Sequence, residues 1–307
     1  MPCLSCKIEE QISPFFRLDR YVSEVLRALS RSQIKVRNLK AKINGKEVKI
    51  SRLVKQGDLL ELSWDDCPPV DIIPQDIPLN IIYEDDQCIV VNKAQGMVVH
   101  PGAGNRQGTF ANALYYRRLN KNYGQVNNSV RPGIVHRLDK ETSGIIIAAF
   151  NDETHAFLAE QFKTRKVNKK YVAIVQGVPK ELKGRIETFI ARDPKDRKKF
   201  SVLPNGKNAV TYYKVIKCWK THSLLVLRPR TGRTHQLRVH MRHIGSPILG
   251  DSVYGSSDKL FPKVSLMLHS KSLAIILPNE NTERVFSSVM PQRFTDVIEK
   301  LNRISHG

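Results

Sequence analysis

The sequence predicts an α+β fold, and two observations carry that expectation. Apolar strand-like runs follow one another at Gln87–Asn92, Gly144–Phe150, Tyr171–Gln176, Val210–Ile216 and Ser223–Leu227, with two convincing helices among them. Successive strands with so few helices argue for a mixed sheet rather than a regular βαβ array. The stretch 65–78 then breaks the composition: four prolines and four aspartates in fourteen residues make a stiff, extended segment that excludes helix. It divides a small α/β unit at residues 15–64 from a large one at 79–303.

In the small unit, Leu18, Val22, Val25 and Leu29 recur at helical spacing and predict one buried stripe. Ser30 and Ser32 offer caps for a second, basic helix that carries Arg31, Lys35, Arg37 and Lys40. Asn44-Gly45 is a hairpin signal, and Lys55-Gln-Gly-Asp-Leu-Leu-Glu-Leu closes the unit with a turn and a strand. The ordered residues R-L-D-x-x-V, S-R-S-Q-I, I-N-G-K and G-D-x-L resemble the small RNA-binding domain named after ribosomal protein S-four. That resemblance turns the basic helix, by itself only a solvated face, into an expected RNA contact through Arg31, Lys35, Arg37 and Lys40.

In the large unit, helices are expected over Asp152–Thr164, with Phe157, Leu158 and Phe162 facing in, and over Thr234–His243, stopped by Gly245. The chain of 307 residues carries 50 Lys+Arg against 29 Asp+Glu, a net charge of +21. Basic residues recur in every segment, which suits an extended polyanion surface. The longest apolar run, Ile145–Phe150, is far too short to span a bilayer, and Glu9 and Glu10 argue against a secretory signal. Five scattered cysteines fit reduced thiols and a cytoplasmic setting. Cys3-x-x-Cys6 has no second Cys/His pair at a zinc-site spacing, so no metal is expected there.

Phosphate-loop, dinucleotide and zinc-hydrolase signatures are absent, and Ser143 lacks the Gly-x-Ser-x-Gly turn of a serine nucleophile. Four polar stretches remain: Asn92–Gly104, His136-Arg-Leu-Asp-Lys-Glu-Thr-Ser-Gly144, Lys169–Gly177 and Thr231-Gly-Arg-Thr-His-Gln-Leu-Arg-Val-His240. In order, and ending in Leu268-His-Ser270, they resemble the motifs of the RluA-type pseudouridine synthases. Val99-His-Pro-Gly-Ala-Gly-Asn105 is similar to the branch that carries the N-terminal module and modifies large-subunit ribosomal RNA. The resemblance implies a largely antiparallel catalytic sheet, an RNA uridine isomerase, and ribosomal RNA or an assembling large subunit as partner. A cytoplasmic monomer without a membrane partner is expected.

Isomerising uridine needs neither water nor a redox step, so no cofactor is expected. The resemblance assigns the essential carboxylate to Asp139, which can attack ribose or base or accept a proton. It makes Arg238 the partner of Asp139, and Tyr171 the aromatic that packs on uracil and helps take the proton from carbon 5. Arg137 is expected at the mouth, filling the space of a flipped nucleotide. Arg233 and Arg242 are expected on phosphate. His136 is set among the RNA-contacting groups, although a histidine there serves as readily as a structural hydrogen-bonder. One departure stands out: Asn92-Lys93-Ala94 replaces the family's common Asn-Lys-Pro. Two other functions stay open, a non-catalytic RNA-binding or ribosome-assembly factor and a hydrolase built on Ser143 and His136. Arg17-Leu18-Asp19 repeats three residues of the Asp139 motif and is read as structural.

Overall fold

The computed structural model describes residues 2–9, 16–26, 28–29, 33–34, 37–65, 72–102, 104–121, 133–196 and 198–306. The chain forms two compact units, the second beginning at Ile72. Arg31, Lys35 and the two serine caps lie outside the described residues, as does part of the expected linker at 65–78.

The first unit comprises β1 (Cys3–Lys7), a helical turn at Leu18–Arg20 that widens into a π-helical segment at Tyr21–Val25, β2 (Lys40–Ile43), β3 (Lys46–Val48) and β4 (Leu59–Ser63). Its sheet runs β1-β4-β2-β3, every neighbour antiparallel. Asn44 and Gly45 join β2 to β3 with φ of 52° and 78°, the two positive values that a tight hairpin turn needs. Leu18 and Val22 pack against Leu60 and Leu62, all buried, each contributing about 1.5–3 kcal/mol. The expected domain start at residue 15 leaves out β1, which pairs with β4 along its whole length. Cys3 and Cys6 lie three apart on that strand and so point to opposite faces. They cannot share one metal.

The second unit is built on β5 (Ile81–Glu84), β6 (Cys88–Lys93), α1 (Phe110–Asn120), β7 (Ser143–Ala149), α2 (Asp152–Lys163), β8 (Asn168–Gln176), β9 (Lys183–Arg192), β10 (Phe200–Val202), β11 (Lys207–Cys218), β12 (His222–Pro229), α3 (Gln236–His243), β13 (Leu268–Ile275), β14 (Arg284–Ser287) and α4 (Gln292–His306). Strand order is β10-β9-β11-β12-β8-β13-β7-β6-β5, with β14 beside β13. Only β13 and β7 run parallel among the described strands, so the sheet is mixed and largely antiparallel, as expected.

β7 is buried at every position, which marks a central strand covered on both faces. Ile145, Ile147 and Ala149 share a core with Leu158 of α2 and with Leu273 and Ile275 of β13. Asn151 caps α2 by accepting from Thr154 N–H at 2.8 Å. Phe157 was expected inside but is exposed: its position, one residue before Leu158, lies about 100° around the helix from the buried stripe. α3 starts at Gln236, two residues later than expected, and ends where Gly245 takes φ 79° and its N–H bonds Arg242 O at 3.0 Å.

Candidate active site

Asp139 lies in the loop that leads into β7, and that loop is held from below by backbone bonds. Gly133 takes φ 73°, where a Cβ would collide with Ala149 O. Gly144 takes φ 113° and lies so close to Ser270 of β13 that only glycine fits. Thr142 N–H closes a turn on Asp139 O at 3.1 Å. The polar stretch around Asn92 now acquires a purpose. Lys93 is buried and its Nζ donates to Ala94 O at 2.8 Å, Met97 O at 2.9 Å and Lys140 O at 3.2 Å. Gly96 N–H also bonds Lys140 O at 2.9 Å, and Gln95 Nε2 bonds Glu141 O at 2.9 Å. Burial pushes the Lys93 ammonium down to about 8, with Glu141 and Asp139 pulling it back up.

His136 completes the support. Its Nε2 accepts from Ile147 N–H at 3.1 Å and its ring stacks on Phe162 at 4.5 Å. Burial first, then the charge of Lys169, pushes it down to about 3, so the ring is neutral at physiological pH. Through Nε2 the ring is tied to β7, and the side chain is half-buried.

The Asp139 side chain is 19% exposed, with Oδ2 3.7 Å from Arg238 Nη1 and 4.0 Å from His235 Nε2. At 3.7 Å the Arg238 contact is an ion pair and not a hydrogen bond. The tight partner of Arg238 is Asp251, a residue that sequence reasoning missed. Arg238 Nε and Nη2 each donate to an Asp251 oxygen at 2.7 Å, a bidentate fork. Asp251 Oδ1 also accepts from Val253 and Tyr254 N–H at 2.9 and 3.0 Å. Burial alone would raise the Asp251 carboxyl; the Arg238 guanidinium and these N–H groups outweigh it and hold it below the ordinary carboxylate range. Arg238 is thus fixed by a saturated buried carboxylate, and its third nitrogen is left to face Asp139. Asp139 faces the cation, and its side-chain oxygens accept no hydrogen bond among the described residues. The sequence signal was Leu249-Gly-Asp-Ser-Val-Tyr-Gly255, a turn with an acid in it.

Tyr171 is buried on β8, opposite Leu227 of β12 and Ser270 of β13. Burial pushes its phenol up to about 12; Ser270 pulls the other way and Asp139 adds to the rise. It is a protonated phenol at neutral pH, within electrostatic reach of Asp139. His235 sits at the start of α3 with φ 56° and bonds Tyr254 Oη through Nδ1 at 2.8 Å. Burial pushes it down despite the Asp139 charge.

The remaining expected residues separate into groups. Arg137 is exposed beside the site. Arg233 Nε donates to Asn208 O at 3.0 Å and Arg242 Nη1 to Tyr254 O at 2.6 Å, so both guanidinium groups brace loops around α3. Arg37 and Lys40 belong to the first unit. His240 lies between Thr188 Oγ1 at 3.0 Å and Thr211 Oγ1 at 2.9 Å, and burial pushes it down to about 4. The hydrolase reading fails on geometry: the histidine bonded to Ser143 is His269 at 2.9 Å, and Arg293 Nη2 donates to the same Oγ at 2.6 Å.

Residues 87–243 match the family of RNA pseudouridylate synthases, a window that holds Asp139, Tyr171 and Arg238. The chain belongs to that family. It is 46% identical over 91% of its length to ribosomal large subunit pseudouridine synthase D of Borreliella burgdorferi, covering 87% of that protein. It is 40% identical to the synthase of the same name from Zymomonas mobilis, covering 92% of each. Among solved structures it resembles human RNA pseudouridylate synthase domain containing 4, with a TM-score of 0.58 and 26% identity over 73% of this chain and 93% of that one. The protein is therefore a pseudouridine synthase, an isomerase of RNA uridine. The family window ends with α3, so Asp251, which fixes Arg238, lies beyond it.

Proposed function

We propose that this synthase converts uridine to pseudouridine in large-subunit ribosomal RNA, with Asp139 as its essential group. The observation that carries the reading is the Asp139 carboxylate, 3.7 Å from an arginine locked on Asp251, with the Tyr171 phenol in electrostatic reach. The reaction breaks the bond from N1 to C1′, forms one from C5 to C1′, moves a proton off C5 and adds one at N1. Asp139 either forms a covalent bond to the nucleotide or accepts that proton. The cation of Arg238 faces the carboxylate at ion-pair distance without blocking its lone pairs.

Tyr171 offers an aromatic face to the detached uracil. As a phenol it takes the C5 proton only if it passes its own proton on. A uridine inside a stack cannot reach a carboxylate at the base of this loop, so the target flips out, and exposed Arg137 fills the gap. The small unit grips an RNA stem by phosphate and shape, through Arg37 and Lys40 among the described residues and through Arg31 and Lys35. The ribosomal target is favoured by the names of the two bacterial relatives. No cofactor enters the balance of atoms.

Tritium release from ribosomal RNA labelled at C5 of uridine tests the reading, comparing the native chain with Asp139→Asn. Release by the native chain alone is expected. Full release by Asp139→Asn would end the assignment, and no release by either, from free RNA or pre-ribosomal particles, would favour an RNA-binding assembly factor.

A further inference from the structure

The buried Lys93 and the half-buried Lys169 behave differently in this molecule. Lys93 satisfies its ammonium with three carbonyl oxygens, and its role is local. Lys169 makes no side-chain hydrogen bond or ion pair among the described residues, although burial and then the charge of Arg230 push it down to about 8. Arg230 is exposed, and its guanidinium also has no partner among the described residues. Among the described residues no carboxylate pairs with either cation, and an uncompensated half-buried ammonium costs stability.

The placement of Lys169 says what offsets it. It stands two residues before Tyr171 on β8, hence on the same face and roughly 7 Å further along the strand. Its Nζ lies 4.0 Å from where a Cβ on Gly232 would sit, so it reaches the Thr231-Gly232-Arg233 loop that feeds α3. Gly232 is exposed and has no side chain to cover the ammonium. His136, whose ring feels the Lys169 charge, is held neutral and adds no competing charge.

We infer that Lys169 and Arg230 form a phosphodiester site, which holds the RNA backbone next to the uridine received by Tyr171. The inference rests on the reading of Tyr171 as the base-packing surface. It assigns to the Lys-x-Tyr spacing a division of labour, with the aromatic taking the base and the lysine taking an adjoining phosphate. A point charge suits this, since the phosphate need only be attracted while the nucleotide turns.

The test uses the full chain and an unmodified large-subunit ribosomal RNA transcript. Binding is measured across salt concentrations for the native protein, Lys169→Met and Lys169→Arg, beside thermal stability and steady-state tritium release. Lys169→Met is expected to flatten the slope of log K against log salt by about 0.7–0.9, the share of one phosphate. It is also expected to raise KM several-fold with kcat nearly kept, and to melt at the native temperature or above. Lys169→Arg should restore slope and KM. An unchanged slope and KM in Lys169→Met would overturn the site, and so would a large fall in melting temperature, which would make Lys169 structural. If the native chain releases no tritium, the isomerase reading fails, while the salt slope still reads the phosphate contact.

Discussion

Arg17-Leu18-Asp19 and Arg137-Leu138-Asp139 are the same three residues in two settings, and the chain uses them for different ends. In both copies the leucine is buried and anchors the segment. In the first, Arg17 turns to its own neighbour: Nε and Nη2 meet the two Asp19 oxygens at 3.0 and 2.9 Å, at the surface, where a helical turn begins. In the second, Arg137 points to solvent and Asp139 faces Arg238, a residue 99 positions later (238 − 139) on α3. What differs is the competitor. Arg238 is already oriented by the buried Asp251, so it presents a fixed cation at no further cost in side-chain entropy, which a flexible surface arginine cannot match. A carboxylate that meets a free arginine becomes a satisfied surface pair; one that meets a spent arginine keeps its lone pairs.

The sharpest way to break this comparison is to remove each carboxylate in turn. Asp139→Asn should abolish tritium release while ribosomal RNA affinity, read by filter binding, stays near native. The next largest effect belongs to Asp251→Asn. It leaves the buried Arg238 fork without its counter-charge, and breaking such a pair costs about 3–5 kcal/mol, to be read by urea unfolding. Its activity should fall at least tenfold even at a temperature where it is fully folded, because Arg238 then turns to Asp139 and occupies it. Native activity in folded Asp251→Asn would refute the idea that Asp251 keeps the Asp139 carboxylate free.

Lys93→Met is a smaller perturbation of the same loop. It strands the Ala94, Met97 and Lys140 carbonyls and should cost about 2 kcal/mol, with kcat falling more than affinity. It also has a pH signature. The Lys93 pKa is about 8 in the folded protein, below the ordinary lysine value near 10.4, so in that interval the unfolded chain binds more protons. Its contribution therefore makes stability rise as pH climbs from about 8 toward 10.4, with the burial penalty fully present below 8. Lys169 acts in the same sense. Urea melts at pH 7.5 and 9.5 should show less of this rise in Lys93→Met than in the native chain, and least in the variant that also carries Lys169→Met.

The two settings were not equally legible in the sequence. The strands and α2 show as apolar runs and a periodic segment, and the Asp139 loop as polar residues wedged between apolar ones. α1 is hidden because its periodicity is broken by Asn112, whose buried side chain completes a capping box with Thr109 and donates to Ile73 O. α4 does announce itself through Phe294, Val297 and Leu301, but it lies beyond the motifs, which end near Leu277. Asp251 could not be read as the clamp on Arg238, because nothing in a turn's local pattern says which distant side chain it faces. The fate of His136 was hidden for the same reason: whether a loop histidine meets RNA or a strand N–H depends on how the loop folds over β7.

The smallest predicted effect is the one that sharpens the comparison most. Asp19→Asn removes a carboxylate from an arginine-leucine-aspartate tripeptide as Asp139→Asn does, but from a pair whose arginine is exposed and whose charges are screened by solvent. Tritium release should be native, and the melting temperature should move within the scatter of ordinary surface substitutions. RNA affinity should hold or rise slightly, since a negative charge leaves a basic unit. If Asp19→Asn instead slowed release without weakening binding, the tripeptide itself would matter, and the distinction drawn from the neighbours of Asp139 would fall. If it weakened binding alone, the first copy would be part of the RNA grip, and the buried leucine would be the only role the two copies share.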